Sequence, residues 1–129
     1  MLPFHRKPNA SFRSHETVRK PWGSELIWTR GDNYVGKFLF IAKSHRLSYQ
    51  YHQVKEESIY ILEGKMDLEY ETDGIKTVIR LQPGDSFHIP ALMKHRMIAI
   101  EDCKVVEVST PYLDDVIRLE DAYGRISAQ

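Results

Sequence analysis

Short apolar runs and alternating apolar and polar positions dominate the chain, and their period is two. Glu25-Leu26-Ile27-Trp28 and the run from Tyr34 to Ala42 are apolar segments separated by a Gly31-Asp32-Asn33 turn, and they read as strands. Met66, Leu68 and Tyr70 alternate with Asp67, Glu69 and Glu71, so one face of that segment is apolar and the other wet. Asp73-Gly74 is a hairpin signal, with Thr77-Val78-Ile79-Arg80-Leu81 as the returning strand. Glu63-Gly64 and Gln82-Pro83-Gly84-Asp85 mark further turns, Ile98-Ala99-Ile100 stops at Glu101-Asp102, and Val105 to Ser109 closes the series. Only the stretch from Tyr112 to Tyr123 suggests a helix. Asp114 and Asp115 suit its first turn, Val116, Ile117 and Leu119 give a partial stripe, and Gly124 would end it. Strands recurring about every eight to twelve residues predict an all-β single domain. A sandwich or a closed jelly-roll type β-barrel fits, with a short C-terminal helical segment.

Composition narrows the partners more than the fold. At 129 residues and 42% hydrophobic content, one globular domain suffices. Eighteen acidic residues balance 18 basic ones, so overall charge gives no reason to invoke nucleic acid or an anionic membrane. Cys103 is the single cysteine and the chain opens on no apolar signal segment, which points to a reducing cytoplasm and an inert thiol. No run of about 18 apolar residues argues for a membrane span. Charge is uneven at the start: Arg6, Lys7, Arg13, Arg19 and Lys20 face only Glu16, among Pro3 and Pro8. Residues 1–19 therefore read as a basic, solvated or partner-wrapping arm, and 20–129 as the domain.

Four side chains then suggest chemistry. If residues 47–53 are a strand, Gln50 and His52 point to one face, Glu57 follows after a short bend, and His95 arrives from a different strand beyond Pro83-Gly84 and Pro90. Two imidazoles, a carboxylate and an amide oxygen suit one divalent ion, zinc first, with manganese, nickel or iron as alternatives. The amide makes the set harder than three imidazoles would, which favours Lewis-acid work over dioxygen chemistry.

The same residues resemble the two motifs of the cupins. His52, Glu57 and Gly64 match the first motif, with Ser44 at its opening glycine and Gln50 at its first histidine. Gly84, Pro90 and His95 match the second, with Leu92 at a glycine position. A narrower resemblance covers roughly residues 19–125. Lys20-Pro21-Trp22-Gly23-Ser24, the run from Leu47 to His52 with Glu57, Ile89-Pro90 to His95-Arg96, and Asp114 to Arg125 are similar to the type II mannose-6-phosphate isomerase domain. Gln53, Val54, Lys55 and Glu56 stand where that family has further histidines and an arginine. The resemblance implies a metal-dependent cupin barrel, a homodimer, that isomerises a sugar phosphate. A metal-dependent oxygenase and a non-enzymatic small-molecule or carbohydrate-binding module are the alternatives.

Moving a proton between adjacent carbons requires a base near neutral pKa and a cation facing the developing enediolate. His88, on the strand leading to His95, and Lys55 and Glu56, beside Glu57, are the candidate catalytic residues. A phosphate needs cationic contacts, for which Arg46, Lys94, Arg96, Arg118 and Arg125 are available, Arg125 and Arg96 first. Trp22 and Trp28 read as core or dimer-contact residues.

Overall fold

The computed structural model describes residues 10–127, so residues 1–9 of the basic arm, with Arg6 and Lys7, lie outside the described residues. Eleven strands follow: β1 (Glu16–Lys20), β2 (Gly23–Arg30), β3 (Val35–Ile41), β4 (Tyr49–Tyr51), β5 (Glu57–Glu63), β6 (Met66–Thr72), β7 (Ile75–Leu81), β8 (Ser86–Ile89), β9 (His95–Ala99), β10 (Cys103–Ser109) and β11 (Ile117–Glu120). They form two antiparallel sheets, ordered β1-β2-β3-β10-β5-β8 and β11-β4-β9-β6-β7. The architecture is the expected all-β one, consistent with a jelly roll, but its strands are hydrogen-bonded as two sheets and not as one closed barrel. Residues 16–19, the end of the segment read as an arm, already belong to β1.

The expected C-terminal helix is a correction: no helix occurs among the described residues. Ile117 to Glu120 instead adds β11 to the edge of the smaller sheet, with Ile117 opposite Tyr51 and Arg118 opposite Gln50. Too few apolar positions recur at helical spacing to bury a helix face, whereas an unpaired β4 edge offers backbone partners directly.

Alternation also fixes which side chains meet. On β3 the inner positions are Val35, Lys37, Leu39 and Ile41, and on β10 they are Cys103, Val105, Glu107 and Ser109, all buried. Register sets Leu39 against Val105 and Lys37 against Glu107. One half of the interior is therefore apolar, built from Leu39, Ile41, Ile59, Ile61, Met66, Leu68, Met97 and Val105. Each such side chain contributes about 1.5–3 kcal/mol by leaving water. The other half carries charges.

Turn chemistry completes the frame. Asp73 and Gly74 both take positive φ, 53° and 76°, the backbone that a two-residue hairpin between β6 and β7 requires. Gly64 joins β5 to β6 at φ 83°, and a Cβ there would lie 2.2 Å from the Asp102 carbonyl oxygen, so only glycine fits.

Candidate metal centre

His52, Glu57 and His95 converge in the charged half of the interior, each offering one ligand atom within 4.8 Å of the others. They are 3%, 3% and 1% exposed. His52 leaves the end of β4, Glu57 opens β5 and His95 opens β9. The Nδ1 of His52 lies 2.5 Å from the Asp115 carbonyl oxygen, and that of His95 lies 2.9 Å from the Met93 carbonyl oxygen. A carbonyl only accepts, so each Nδ1 carries the proton and each Nε2 presents a lone pair.

Those two Nε2 atoms are buried without a hydrogen-bond partner, yet each stands 3.3 Å from the same oxygen of Glu57. Three lone-pair donors facing one another in a dry interior repel unless a cation lies between them. The donor set fits a divalent ion on that ground alone.

Gln50 sits beside the triad. It pairs with His95 across the β4–β9 ladder and with Arg118 across the β4–β11 ladder, so Arg118, Gln50 and His95 form one cross-strand row. The Ser48 hydroxyl donates to its side-chain oxygen at 2.7 Å, leaving that oxygen a second lone pair.

A cavity of about 260 Å³ opens onto His52 and Glu57 of the triad, lined among others by Gln50, Lys55, Glu107, Lys37, Arg118 and Arg125. Lys55 Nζ is 3.3 Å from Glu57 and 3.5 Å from Glu107; Lys37 Nζ is 4.0 Å from Glu107 and 3.3 Å from Glu25. Burial alone would raise the Glu57 carboxyl, but the Lys55 ammonium is among the groups that hold it well below the usual range. Burial and the adjacent Glu57 push Glu107 up to about 8, against the pull of Lys55 and Lys37. Burial also works against charge on Lys55, but Glu107 and Glu57 outweigh it and raise the ammonium above the ordinary lysine value.

The other sequence candidates divide by place. Lys55 is buried and lines the cavity. His88 and Glu56 do not: their side chains are 56% exposed, lie 3.5 Å from each other and border a surface depression with Asn33 and Tyr34. Arg125 lines the cavity while a two-point pair with Asp121, at 2.9 and 3.0 Å, fixes its guanidinium. Arg96 is buried outside the cavity lining, donating to the Leu47 and Glu120 carbonyls and tying β9 to the segment before β4 and to β11. Arg118 lines the cavity with its Nε buried and unpartnered, and burial together with Arg125 lowers its pKa. Trp22 is in the core, whereas Trp28 lies on the outer face beside Phe38. Burial raises the Cys103 thiol, which donates to the Lys65 and Glu101 carbonyls.

Three contributors escape the motif reading: Lys37, Glu107 and Asp115. Lys37 and Glu107 each interrupt an apolar strand at an inward position, which is a signal in the sequence itself. The Asp115 carboxylate accepts from the backbone N–H groups of Gln53, Val54 and Lys55 at 2.9, 2.7 and 2.8 Å, shaping the bend between the two motif residues His52 and Glu57.

The model of the cupin domain matches residues 38–109, more than half of the chain. The chain belongs to the cupin family. Among characterised relatives, this cupin is 30% identical over 118 residues to the alginate biosynthesis protein AlgA of Pseudomonas aeruginosa, covering 88% of this chain and 24% of that protein. It is 28% identical over 119 residues to mannose-1-phosphate guanylyltransferase of Escherichia coli, covering 88% and 24%. The cupin therefore spans about a quarter of the length of these relatives. Solved structures share its fold: KdgF from Halomonas has a TM-score of 0.64 at 22% identity, covering 79% of this chain and 91% of that one. Oxalate decarboxylase from Bacillus subtilis has a TM-score of 0.75 at 13% identity, covering 89% and 33%. No helix among the described residues is long and apolar enough to cross a membrane.

Proposed function

We propose that this cupin is a metal-dependent isomerase of sugar phosphates, of the mannose-6-phosphate isomerase type, with His52, Glu57, His95 and Gln50 as ligands of a single zinc ion. The observation that carries the reading is the convergence of three bare lone pairs beside a charged cavity whose lining includes Arg118 and Arg125. Similarity to proteins named for alginate biosynthesis and mannose-1-phosphate guanylyl transfer supports a sugar-phosphate substrate. A divalent ion held there supplies Lewis-acid stabilisation of negative charge on a substrate oxygen.

The chain's own residues do the rest. Arg118 and Arg125 present guanidinium donors to the phosphate, the buried and unpartnered Nε of Arg118 among them. Of the three candidates Lys55 alone lines the cavity, between Glu57 and Glu107; its ammonium keeps its proton and donates a hydrogen bond toward a substrate oxygen, while Glu107, pushed up to about 8, takes the proton from one carbon and returns it to the next. Buried walls around the triad exclude water from the exchange.

The test is a coupled assay converting mannose 6-phosphate to fructose 6-phosphate with zinc-loaded protein. Turnover that disappears with chelator and falls by about 10²–10⁴ in Lys55→Met supports the reading. Oxygen uptake with iron and no isomerisation would assign the site to an oxygenase. Ligand-dependent stabilisation without any turnover would assign it to a binding module.

A further inference from the structure

A row of charges runs on from Glu57 of the metal triad, and beyond Glu57 the triad does not require it. Across β5, β10, β3 and β2 run Glu57, Glu107, Lys37 and Glu25, with Lys55 between the first two, an alternation of carboxylates and ammonium groups. Lys37 is 6% exposed and Glu107 5%, and their neighbours on the same inner face, Val35, Leu39 and Val105, are apolar. Buried ion pairs are commonly no more stabilising than apolar side chains of similar size, so packing does not account for this row. A ligand does.

We infer that Lys37, held by Glu25, reads a ligand hydroxyl remote from the metal triad, so that the cavity selects open-chain polyhydroxy compounds over short hydroxy acids. Glu25 receives the ammonium at 3.3 and 3.4 Å, whereas Glu107 stands at 4.0 Å, beyond hydrogen-bond reach. An ammonium has three donors, and at least one is left for a ligand in the cavity that Lys37 lines. A hydroxyl both donates and accepts, which matches a wall that offers Lys37 beside Glu25 and Glu107. Two strand spacings of about 4.8 Å separate β5 from β3. A two-carbon hydroxy acid anchored at the triad cannot bridge that span, and a chain of five or six carbons can.

The inference rests on the carbohydrate reading above, but equilibrium binding tests it without turnover. Calorimetric titration of the zinc-loaded full chain with glycolate and with gluconate gives an affinity ratio. The wild type binds gluconate more tightly, and Lys37→Met reduces that preference about tenfold, the effect of losing one hydrogen bond to a charged group. Glycolate affinity and zinc content stay as in the wild type. No preference for gluconate in the wild type, or an unchanged ratio in Lys37→Met, overturns the inference. Should Lys37→Met not fold or not hold zinc, Glu25→Gln decides: a reduced ratio supports the inference and an unchanged one overturns it. A ratio that behaves as stated without isomerase turnover removes only the isomerase reading. Turnover with an unchanged ratio removes only the role of Lys37.

Discussion

Asp115 holds the two halves of the first motif in place with one residue. Its backbone carbonyl receives the His52 Nδ1 proton, and its carboxylate gathers three consecutive backbone N–H groups between His52 and Glu57. Those N–H groups hold the Asp115 pKa below its usual value, although partial burial alone would raise it. Substitution by alanine keeps the carbonyl but releases the bend. Asp115→Ala should lose about 2 kcal/mol of stability in urea denaturation, since water replaces a charged acceptor only in part. It should also bind zinc about 10–100-fold more weakly in a competition titration, because the angle between His52 and Glu57 is no longer set. Full zinc affinity at reduced stability would confine Asp115 to shaping the turn. Parity explains where the His88 and Glu56 side chains point. Each precedes an inward residue, Ile89 and Glu57, and therefore points out.

At the scale of strands and turns, two departures from the cupin motifs have a physical signature. Ser44 and Leu92 stand at motif glycine positions, and they have φ of 68° and 72°. The fold keeps the left-handed backbone that glycine tolerates and pays for it with side chains. Ser44→Gly and Leu92→Gly should each raise stability by about 0.5–1 kcal/mol, the relief of the left-handed penalty less the added freedom of the unfolded chain. Thermal denaturation checks this, and a loss at either site would mean that the side chain's contacts outweigh the backbone strain. The strands with one wet face, such as β6, and the Asp73-Gly74 hairpin were legible because pattern and turn agree. β5 was not: Ile59 and Ile61 face inward, but Tyr60 and Leu62 put apolar groups on the outer face and hide the alternation. β11 was misread because Asp114 and Asp115 look like a helix start, while the partners of the Asp115 carboxylate lie some sixty positions earlier.

For the molecule as a whole, the charge on the cavity wall ties folding to the ion. His52, Glu57 and His95 were visible as a local spacing, but Lys37 meets Glu107 only when β3 pairs with β10, which no local pattern announces. Lys37 and Lys55 interleave with Glu25, Glu57 and Glu107 on this wall, and the two imidazoles stand at its end. A divalent ion supplies the partner that the two Nε2 atoms lack. In the unfolded chain water solvates every one of these groups separately, so the ion binds the native state far better than the unfolded one. At about 100 times its dissociation constant, zinc should then add about 2.7 kcal/mol. For a domain of this size that corresponds to a rise in melting temperature of about 10 °C. Calorimetry of chelator-treated protein with and without added zinc measures the shift. His95→Ala, which removes one ligand, should melt at a temperature that zinc no longer moves. A wild type whose melting temperature ignores zinc, manganese, nickel and iron alike would show that the triad does not hold an ion.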